Sequence, residues 1–399
     1  MSVQTSDDLL TRSRIRQPGV LGVLTLSHIV NDFYQGAVPA ILPFLVLNAG
    51  YSYGQATGIM MAATVVSSVA QPAFGVLADR HELRWLVPIS LFVAGLGIGL
   101  AGLSDSYWMT WAAVALSGLG VAAYHPAAAR AARAAAGTSA QGMSWFAVGG
   151  NIGLALGPVV ATPILLVYGL GGTPILAIPA VLLAAAMLGL ARCLRNRMSR
   201  RGAVPRPSES VALADDDWRS FGWLTALAIN RSVLYFGVSS LLALYTMDRF
   251  GSSPAVGAAM LTLFLSIGVF ATVTGGWIAD RRGRTTAIRL GFALNLPGLG
   301  LLLLAPNVGV AAAATVVIGV GTYLPFSVQT TLGHEYLPNR IGTASGVTIG
   351  LAVSAGGALA PVLGAVADAY GLRTAIATLV ILPPLGLLTS LRLRDRVLH

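Results

Sequence analysis

The sequence predicts an all-α membrane protein with twelve transmembrane helices in two pseudo-symmetric six-helix halves. The composition is the first reason: 55% of the 399 residues are hydrophobic, 10% are charged, and the mean hydropathy is +0.75. A soluble domain carries about 25% charged residues, so a soluble fold is excluded. The second reason is a repeat, because the segment from Gly75 to Arg80 recurs half a chain later from Gly276 to Arg281. Such duplication is typical of two helix bundles packed around one central site.

Apolar stretches of transmembrane length follow one another along the whole chain. A spanning helix needs about 20 predominantly apolar residues, and clusters of Gly, Pro, Asn and Ser separate the stretches as turns. The predicted spans are 20–47, 52–78, 85–103, 108–130, 141–167, 173–194, 219–247, 254–280, 285–304, 308–332, 341–368 and 373–391.

The long polar segment 195–217 is predicted to be a cytoplasmic linker. It is rich in arginine and proline and ends in three aspartates, whereas the other connections are short. It divides the chain into an N-terminal six-helix half, 1–194, and a C-terminal six-helix half, 218–399.

The distribution of positive charge predicts the orientation in the membrane. The net charge is +10, and the 25 basic residues are all arginines. All except Arg231, Arg249 and Arg373 are placed at one face, which by the positive-inside bias puts both termini in the cytoplasm. We therefore expect a multi-pass protein of the inner (plasma) membrane that contacts anionic lipids at this face, and no nucleic-acid binding. Cys193 is the sole cysteine, so no disulfide or cysteine metal cluster is expected.

A polar stripe in the first span predicts the proton-coupling site. An ionisable side chain at the bilayer centre costs about 2.5–3.5 kcal/mol, so its presence needs a reason. Asp32 lies near the centre of span one, and His28, Asp32 and Gln35 share one helical face beside Asn31. Burial disfavours the ionised carboxyl and a nearby cation favours it, so Asp32 and His28 are suited to proton transfer. The alternative is a structural pair of Asp32 with His28 or Arg231 that only locks helices together.

Further polar residues predict the substrate site. Arg231 occupies the place in span seven that Asp32 occupies in span one, and a guanidinium binds phosphate, phosphonate or carboxylate in a planar fork. His125 can accept a proton or bond an anionic ligand, although helix packing is an open alternative. The predicted substrate-binding residues are Asn31, Gln35, Tyr124, His125, Asn151, Asn230, Arg231, Tyr235 and Tyr323.

The repeated motif predicts a cytoplasmic gate. An aspartate at the end of a span can pair with arginines of a neighbouring loop or helix and hold that side shut, whereas the alternative is that these charges are membrane-edge anchors. The predicted gate residues are Gly75, Asp79, Arg80, Gly276, Asp280, Arg281 and Arg284. Gly153, Gly157 and Pro158 in span five are predicted to let that helix bend.

Sequence signatures of enzymes are missing. The chain contains no Gly-x-Ser-x-Gly, no His-Glu-x-x-His and no phosphate-binding loop. No enzymatic activity, cofactor or metal is therefore predicted, and transport energy would come from an ion gradient or from the solute itself.

These features resemble the major facilitator superfamily, through twelve spans in two halves and Gly-x-x-x-Asp-Arg after spans two and eight. The segment from Ser27 to Gln35, with Gln71-Pro72 and Tyr124-His125-Pro126, is similar to the fosmidomycin resistance branch. Gly153-x-x-x-Gly157-Pro158 resembles the antiporter motif of span five. The resemblance implies the major facilitator fold, alternating access by rocking of the two halves, and proton-driven efflux of a drug or metabolite with Asp32 as the proton site.

The leading prediction is a proton-coupled secondary transporter that exports small organic molecules, including anionic phosphonates such as fosmidomycin. Its expected partners are the small-molecule substrate, protons and membrane lipids, and it is expected to act as a monomer. The alternatives are a proton-coupled symporter that imports an organic anion, and a non-transporting membrane sensor.

Overall fold

The computed structural model describes residues 15–80, 85–137, 139–198 and 215–395, and every regular element in these ranges is helical. The first nine helices are α1 (Pro18–Ala49), α2 (Tyr53–Arg80), α3 (Leu86–Leu100), α4 (Tyr107–Ala136), α5 (Ala140–Tyr168), α6 (Thr173–Met198), α7 (Trp218–Phe250), α8 (Pro254–Arg282) and α9 (Arg284–Leu304). The remaining helices are α10 (Val308–Tyr323), α11 (Phe326–Tyr336), α12 (Ile341–Ser345), α13 (Ala352–Tyr370), α14 (Leu372–Thr378) and α15 (Leu382–Ser390).

Ten stretches of the described chain are long and apolar enough to cross a membrane. One of them, Gln141–Gly189, covers parts of both α5 and α6, and α3 is a shorter apolar helix of 15 residues. The predicted all-helical membrane fold is confirmed, and the number of twelve crossings stays a prediction. Helix α6 continues to Met198, beyond the predicted end of span six, while most of the predicted linker lies outside the described residues. The boundaries of the two halves likewise stay a prediction.

Local chemistry explains how the first helix of each half ends and how α7 begins. Gly50 and Gly251 follow α1 and α7 with φ of +67° and +58°, a left-handed conformation that a side chain would strain. Asp217 caps α7 by accepting a hydrogen bond from the Ser220 amide at 3.0 Å. The glycines therefore end α1 and α7, and Asp217 begins α7.

Two of the predicted spans in the C-terminal half are interrupted. Proline lacks an amide hydrogen, and the helix of span ten breaks at Leu324-Pro325 between α10 and α11. In span eleven a π-helical turn, Gly346–Leu351, connects α12 to α13. Such turns often accompany functional sites because they offset the helix on either side.

The helices pack in a repeated arrangement. In the N-terminal half α1 packs along α5 and α2 along α4, and in the C-terminal half α7 packs along α13 and α8 along α10. The two most extensive contacts between the halves are those of α2 with α13 and of α5 with α8. The predicted two-fold repetition relates α2 to α8 and α5 to α13, so it converts one of these contacts into the other. The two contacts therefore lie on opposite sides of the pseudo-symmetry axis and enclose a space on it.

The α2–α13 contact is closed at one face of the bundle and open at the other. We call the face where α1 begins and α15 ends the terminal face, and the other the opposite face. At the opposite face, Asp368 accepts hydrogen bonds from the amides of Tyr53 and Gly54 at 2.7 and 2.8 Å. A Cβ at Gly364, one helical turn earlier, would lie 2.5 Å from the Tyr53 carbonyl oxygen.

Towards the terminal face the same two helices diverge. A Cβ at Gly357 would lie 2.7 Å from Cβ of Thr64, whereas at Gly350 the nearest atom is the Ser68 carbonyl oxygen at 4.0 Å. At Gly346 there is nothing within 4 Å. Along α2 and α13, the two halves are therefore in contact at the opposite face and apart at the terminal face.

Candidate proton and substrate sites

The Asp32 carboxylate is buried in the N-terminal half and surrounded by hydrogen-bond donors. Asn31 Nδ2 donates to Oδ1 at 2.9 Å and Gln35 Nε2 donates to the same oxygen at 3.1 Å. His125 Nε2 lies 3.1 Å from Oδ1, and His28 Nε2 lies 3.3 Å from Oδ2. Three of these four contacts converge on Oδ1 and one reaches Oδ2, so the two carboxylate oxygens are unevenly occupied.

Both histidines are held in place by backbone carbonyls. His28 Nδ1 lies 2.8 Å from the Phe146 carbonyl oxygen on α5, and its ring stacks on Phe146 at 4.3 Å between centroids. His125 Nδ1 lies 3.0 Å from the Val121 carbonyl oxygen on α4. The three ligand atoms of His28, Asp32 and His125 also lie within 4.8 Å of one another, a spacing that would admit a cation as well as protons.

The predicted residue Tyr124 supports this cluster from the side. Its hydroxyl lies 2.7 Å from Ser27 Oγ and donates to the Leu24 carbonyl oxygen at 3.3 Å. Tyr124 is fully buried, so it holds α4 against α1 and does not reach the cavity described below.

A glycine that the sequence analysis missed makes room for the cluster. A Cβ at Gly150 on α5 would lie 2.6 Å from Asp32 Oδ2 and 2.8 Å from His28 Nε2, so any side chain would displace both groups. The pair Gly149-Gly150 in the span-five stretch was a signal for close helix packing, but it could not identify the neighbour.

A cavity of about 160 Å³ lies between the two halves. Among the predicted substrate residues, Gln35 and Asn151 line it from the N-terminal half, and Arg231, Tyr235 and Tyr323 line it from the C-terminal half. Since Gln35 also bonds Asp32, one side chain connects the buried carboxylate to the cavity wall.

Arg231 enters this cavity without an anionic partner. Its Nε donates to Gln329 Oε1 at 2.9 Å, and its guanidinium lies 4.8 Å from the centre of the Phe326 ring. The side chain is buried, and no described carboxylate lies within ion-pair distance of it. The alternative of a permanent Asp32–Arg231 pair is therefore wrong. A buried, unpaired charge is costly, so an anion from outside would stabilise this site.

Two neighbouring polar groups also lack a hydrogen-bond partner. The Tyr323 hydroxyl and Gln329 Nε2 are buried and make no hydrogen bond of normal geometry with described residues. Both can donate, so with Arg231 they form a group of donors that an anionic oxygen would satisfy.

Four of the predicted substrate residues lie away from the cavity. Asn31, Tyr124 and His125 belong to the Asp32 cluster. Asn230 donates from Nδ2 to the Leu382 carbonyl oxygen on α15 at 3.0 Å. Successive residues on a helix point about 100° apart, so Asn230 and Arg231 face different neighbours.

The predicted gate residues are not assembled in this state. A Cβ added at Gly75 or Gly276 would have nothing within 4 Å, and the exposed Asp280 makes no hydrogen bond or ion pair with another described residue.

The predicted gate arginines of the C-terminal half have other partners. Arg281 lies over the Trp277 ring at 4.3 Å, and Arg284 forms an ion pair with Glu335. The backbones of Asp79 and Arg80 end α2, and their side chains lie outside the described part of the structure. The gate therefore stays a prediction.

The glycines predicted to let span five bend lie against the backbone of α1. A Cβ at Gly153 would lie 2.9 Å from the Phe33 amide nitrogen, and one at Gly157 would lie 2.6 Å from Gly36 Cα. Pro158 lies within α5. These glycines therefore permit the close α1–α5 contact, and bending stays a prediction.

Two packed helical halves, a cavity on their axis and buried ionisable residues beside it define the class of multi-pass secondary transporters. The sequence profile of the Major Facilitator Superfamily matches residues 24–361. The chain therefore belongs to this superfamily, as predicted, and is a membrane transporter rather than an enzyme.

Individual relatives agree with this assignment. The chain is 31% identical to the fosmidomycin resistance protein of Escherichia coli (strain K12), over 93% of this chain and 92% of that protein. It is 29% identical to the uncharacterized MFS-type transporter YfnC of Bacillus subtilis (strain 168), over 98% of each. Among solved structures, a bacterial homologue of the human lysosomal transporter Spinster, inward-facing and occupied, superposes with a TM-score of 0.76 at 15% identity, covering 95% of this chain and 97% of that one.

Proposed function

We propose that this protein is a proton-coupled exporter of small organic anions. The observation that carries the proposal is the link from the Asp32 cluster through Gln35 to the cavity that Arg231 lines. A proton on the cluster changes what Gln35 can bond, and a ligand in the cavity competes for the same amide. Protonation and ligand binding are therefore coupled through one side chain.

The charge and size of the cavity favour a compact anionic cargo. Arg231 lacks a described counter-ion, and Tyr235, Phe236 and Phe326 add aromatic surface around it. A phosphonate or carboxylate would form an ion pair with the guanidinium. A short organic body attached to it would pack against the aromatic side chains. The name of the Escherichia coli relative makes fosmidomycin, a phosphonate, the first compound to test.

The transport cycle follows from the two inter-half contacts. We propose that the terminal face is cytoplasmic, because the arginines of the chain concentrate there. The present state would then load cargo from the cytoplasm, and rocking of the halves would separate α2 from α13 at the opposite face. Asp280 and its arginine neighbours would assemble as a gate in that second state. We propose that the protein acts as a monomer in the inner membrane, in contact with anionic lipids.

Proton flux into proteoliposomes on addition of fosmidomycin tests the proposal. We expect substrate-evoked proton movement in the wild type and none in Asp32→Asn, with exchange of labelled for unlabelled substrate retained in the variant. Proton movement that persists unchanged in Asp32→Asn would remove this carboxylate from the mechanism.

One alternative shares the same site. An unpaired Arg231 suits a symporter that imports an organic anion as well as it suits an exporter. Flux measured in vesicles of known orientation separates the two, because an inward pH gradient drives cargo out of the cell in one case and into it in the other. The non-transporting sensor has no support from the family.

A further inference from the structure

We propose that His28, Asp32 and His125 form a binding site for a divalent transition-metal ion such as Zn²⁺, with one ligand atom from each side chain. The inference goes beyond the proposed function, because metal binding requires neither transport nor proton movement. No metal was predicted from the sequence, because the chain carries no metal-binding motif. His125 comes from α4 whereas the other two ligands come from α1, so no spacing along the sequence indicates the site.

The ligand atoms have separations that suit one tetrahedral ion. Zn²⁺ binds histidine nitrogen and carboxylate oxygen at about 2.0–2.2 Å, which puts neighbouring ligand atoms about 3.3–3.6 Å apart. His125 Nε2 lies 3.1 Å from Asp32 Oδ1, and His28 Nε2 lies 3.3 Å from Asp32 Oδ2. The three ligand atoms lie within 4.8 Å of one another, so small rotations of the rings would bring them around one ion. The His125 contact also fits a hydrogen bond, which the ion would replace.

The outer nitrogen of each histidine is held as in known metal sites. Nδ1 of His28 lies 2.8 Å from the Phe146 carbonyl oxygen, and Nδ1 of His125 lies 3.0 Å from the Val121 carbonyl oxygen. A carbonyl can only accept, so each Nδ1 carries hydrogen, and a neutral imidazole then presents its lone pair at Nε2. Metal-binding histidines almost always donate their other N–H in this way, which fixes the ring. Both rings therefore present the metal-binding atom towards Asp32.

The surroundings leave space for an ion and a water molecule. A Cβ at Gly150 would lie 2.6 Å from Asp32 Oδ2 and 2.8 Å from His28 Nε2, so a larger residue would fill the space between these two ligand atoms. Three protein ligands leave the fourth position of the ion to water. Asn31 Oδ1 is buried and bonds no described residue, although the amide nitrogen of the same side chain lies 2.9 Å from Asp32. This oxygen can accept a hydrogen bond from the water.

Access and charge also favour a transition-metal ion. The His125 side chain is 25% exposed, whereas those of His28 and Asp32 are 10% and 9% exposed, so His125 provides the entry path. One carboxylate and two neutral imidazoles offset part of the charge of a divalent cation. Imidazole ligands suit Zn²⁺ and its neighbours, whereas Mg²⁺ and Ca²⁺ prefer oxygen ligands alone. The site should therefore discriminate against Mg²⁺.

Visible absorption of Co²⁺ bound to the purified full-length protein tests the site, because tetrahedral Co²⁺ absorbs far more strongly than hydrated Co²⁺. In a Cys193→Ser background, which removes the thiol, we expect one bound Co²⁺ per chain that Zn²⁺ displaces and excess Mg²⁺ does not. Loss of an outer partner typically lowers metal affinity about 10- to 100-fold. Loss of a ligand in His28→Gln or His125→Gln should therefore raise the Kd for Co²⁺ by about 100-fold or more. His334→Gln is the matched control, because His334 bonds Ser345 on other helices.

X-ray absorption by Zn²⁺ bound to the protein with all three ligands intact adds a measurement that does not depend on the folding of a ligand variant. We expect two imidazole nitrogens at about 2.0–2.1 Å. Missing imidazole scattering, a spectrum of hydrated Co²⁺ alone, or a Kd unchanged in both histidine variants would overturn the proposal. These results leave proton coupling untouched. Conversely, a protein that binds the metal but moves no protons on addition of fosmidomycin would refute the proposed function and not the metal site.

Discussion

Closure of the opposite face depends on Gly357, and adding one methyl group there should shift the conformational equilibrium. In the present state a Cβ at position 357 would overlap Thr64 Oγ1 and lie 2.7 Å from Thr64 Cβ. Carbon atoms pack favourably at about 3.5–4.0 Å. The Gly357→Ala variant can therefore keep this state only if α2 and α13 move apart by about 1 Å.

The expected cost follows from this overlap. Overpacking a close contact costs about 1–3 kcal/mol, and α2 and α13 would lose the contact when the opposite face opens. The higher helix propensity of alanine stabilises both states alike and cancels from the difference. The ratio of the present state to the state open at the opposite face should therefore fall by about 5- to 150-fold.

Electron paramagnetic resonance distances between two spin labels on the terminal face report this ratio. Gly75→Cys and Gly346→Cys in a Cys193→Ser background place one label on each half, at positions with nothing within 4 Å. In Gly357→Ala we expect the longer distance, which belongs to the present state, to lose population to the shorter one.

A second substitution tests the cause. The three atoms nearest to the Cβ position at 357 all belong to the Thr64 side chain, so Thr64→Gly combined with Gly357→Ala should restore the wild-type distribution. An unchanged distribution in the single variant, or no recovery in the double variant, would refute this account of closure. Gly300→Ala, at a helix position with nothing within 4 Å, is the control for the substitution itself.

Three other substitutions test separate parts of the molecule. Gly150→Ala would put a Cβ 2.6 Å from Asp32 Oδ2, so proton-driven transport should fall while Gly300→Ala remains at the wild-type level; equal activity in both would contradict the role of Gly150. Arg231→Gln removes the charge, and since a hydrogen bond to a charged group contributes about 1.5–3 kcal/mol, the Kd of an anionic cargo should rise by about 10- to 150-fold. An equal loss for a neutral cargo, measured by the same binding assay, would indicate a structural role instead. Asp368→Asn removes the negative charge at the start of α2, which should destabilise the present state by about 0.3–1 kcal/mol; unchanged spin-label distances would show that Asp368 does not hold the opposite face closed.

Features that depend on local periodicity were predicted well from the sequence. His28, Asp32 and Gln35 were expected on one face because residues four and seven positions apart align on a helix, and Gln35 and His28 both contact Asp32. The all-helical membrane fold followed in the same way from the lengths of apolar stretches. Such predictions need no knowledge of which helices are neighbours.

Features that depend on contacts between distant helices were not predicted. Nothing in the sequence indicated that His125 would contact Asp32 from a different helix, or that Gln329 rather than Asp32 would be the partner of Arg231. Asn230 was expected in the cavity because it adjoins Arg231, yet it bonds α15. Each outcome depends on the rotation of one helix about its axis relative to another, which hydrophobic periodicity does not specify when most faces of a helix are apolar.

The sequence by itself determined that the chain is a helical membrane protein with a repeated architecture, because hydrophobicity and charge are properties of each segment alone. It also determined that a buried carboxylate and a buried guanidinium had to be accommodated, since both lie within apolar stretches. Only the tertiary structure decided that two amides and two histidines contact Asp32 while Arg231 remains without a described counter-ion. It also decided that the opposite face is the closed one, because closure depends on the meeting of α2 and α13 from different halves of the chain.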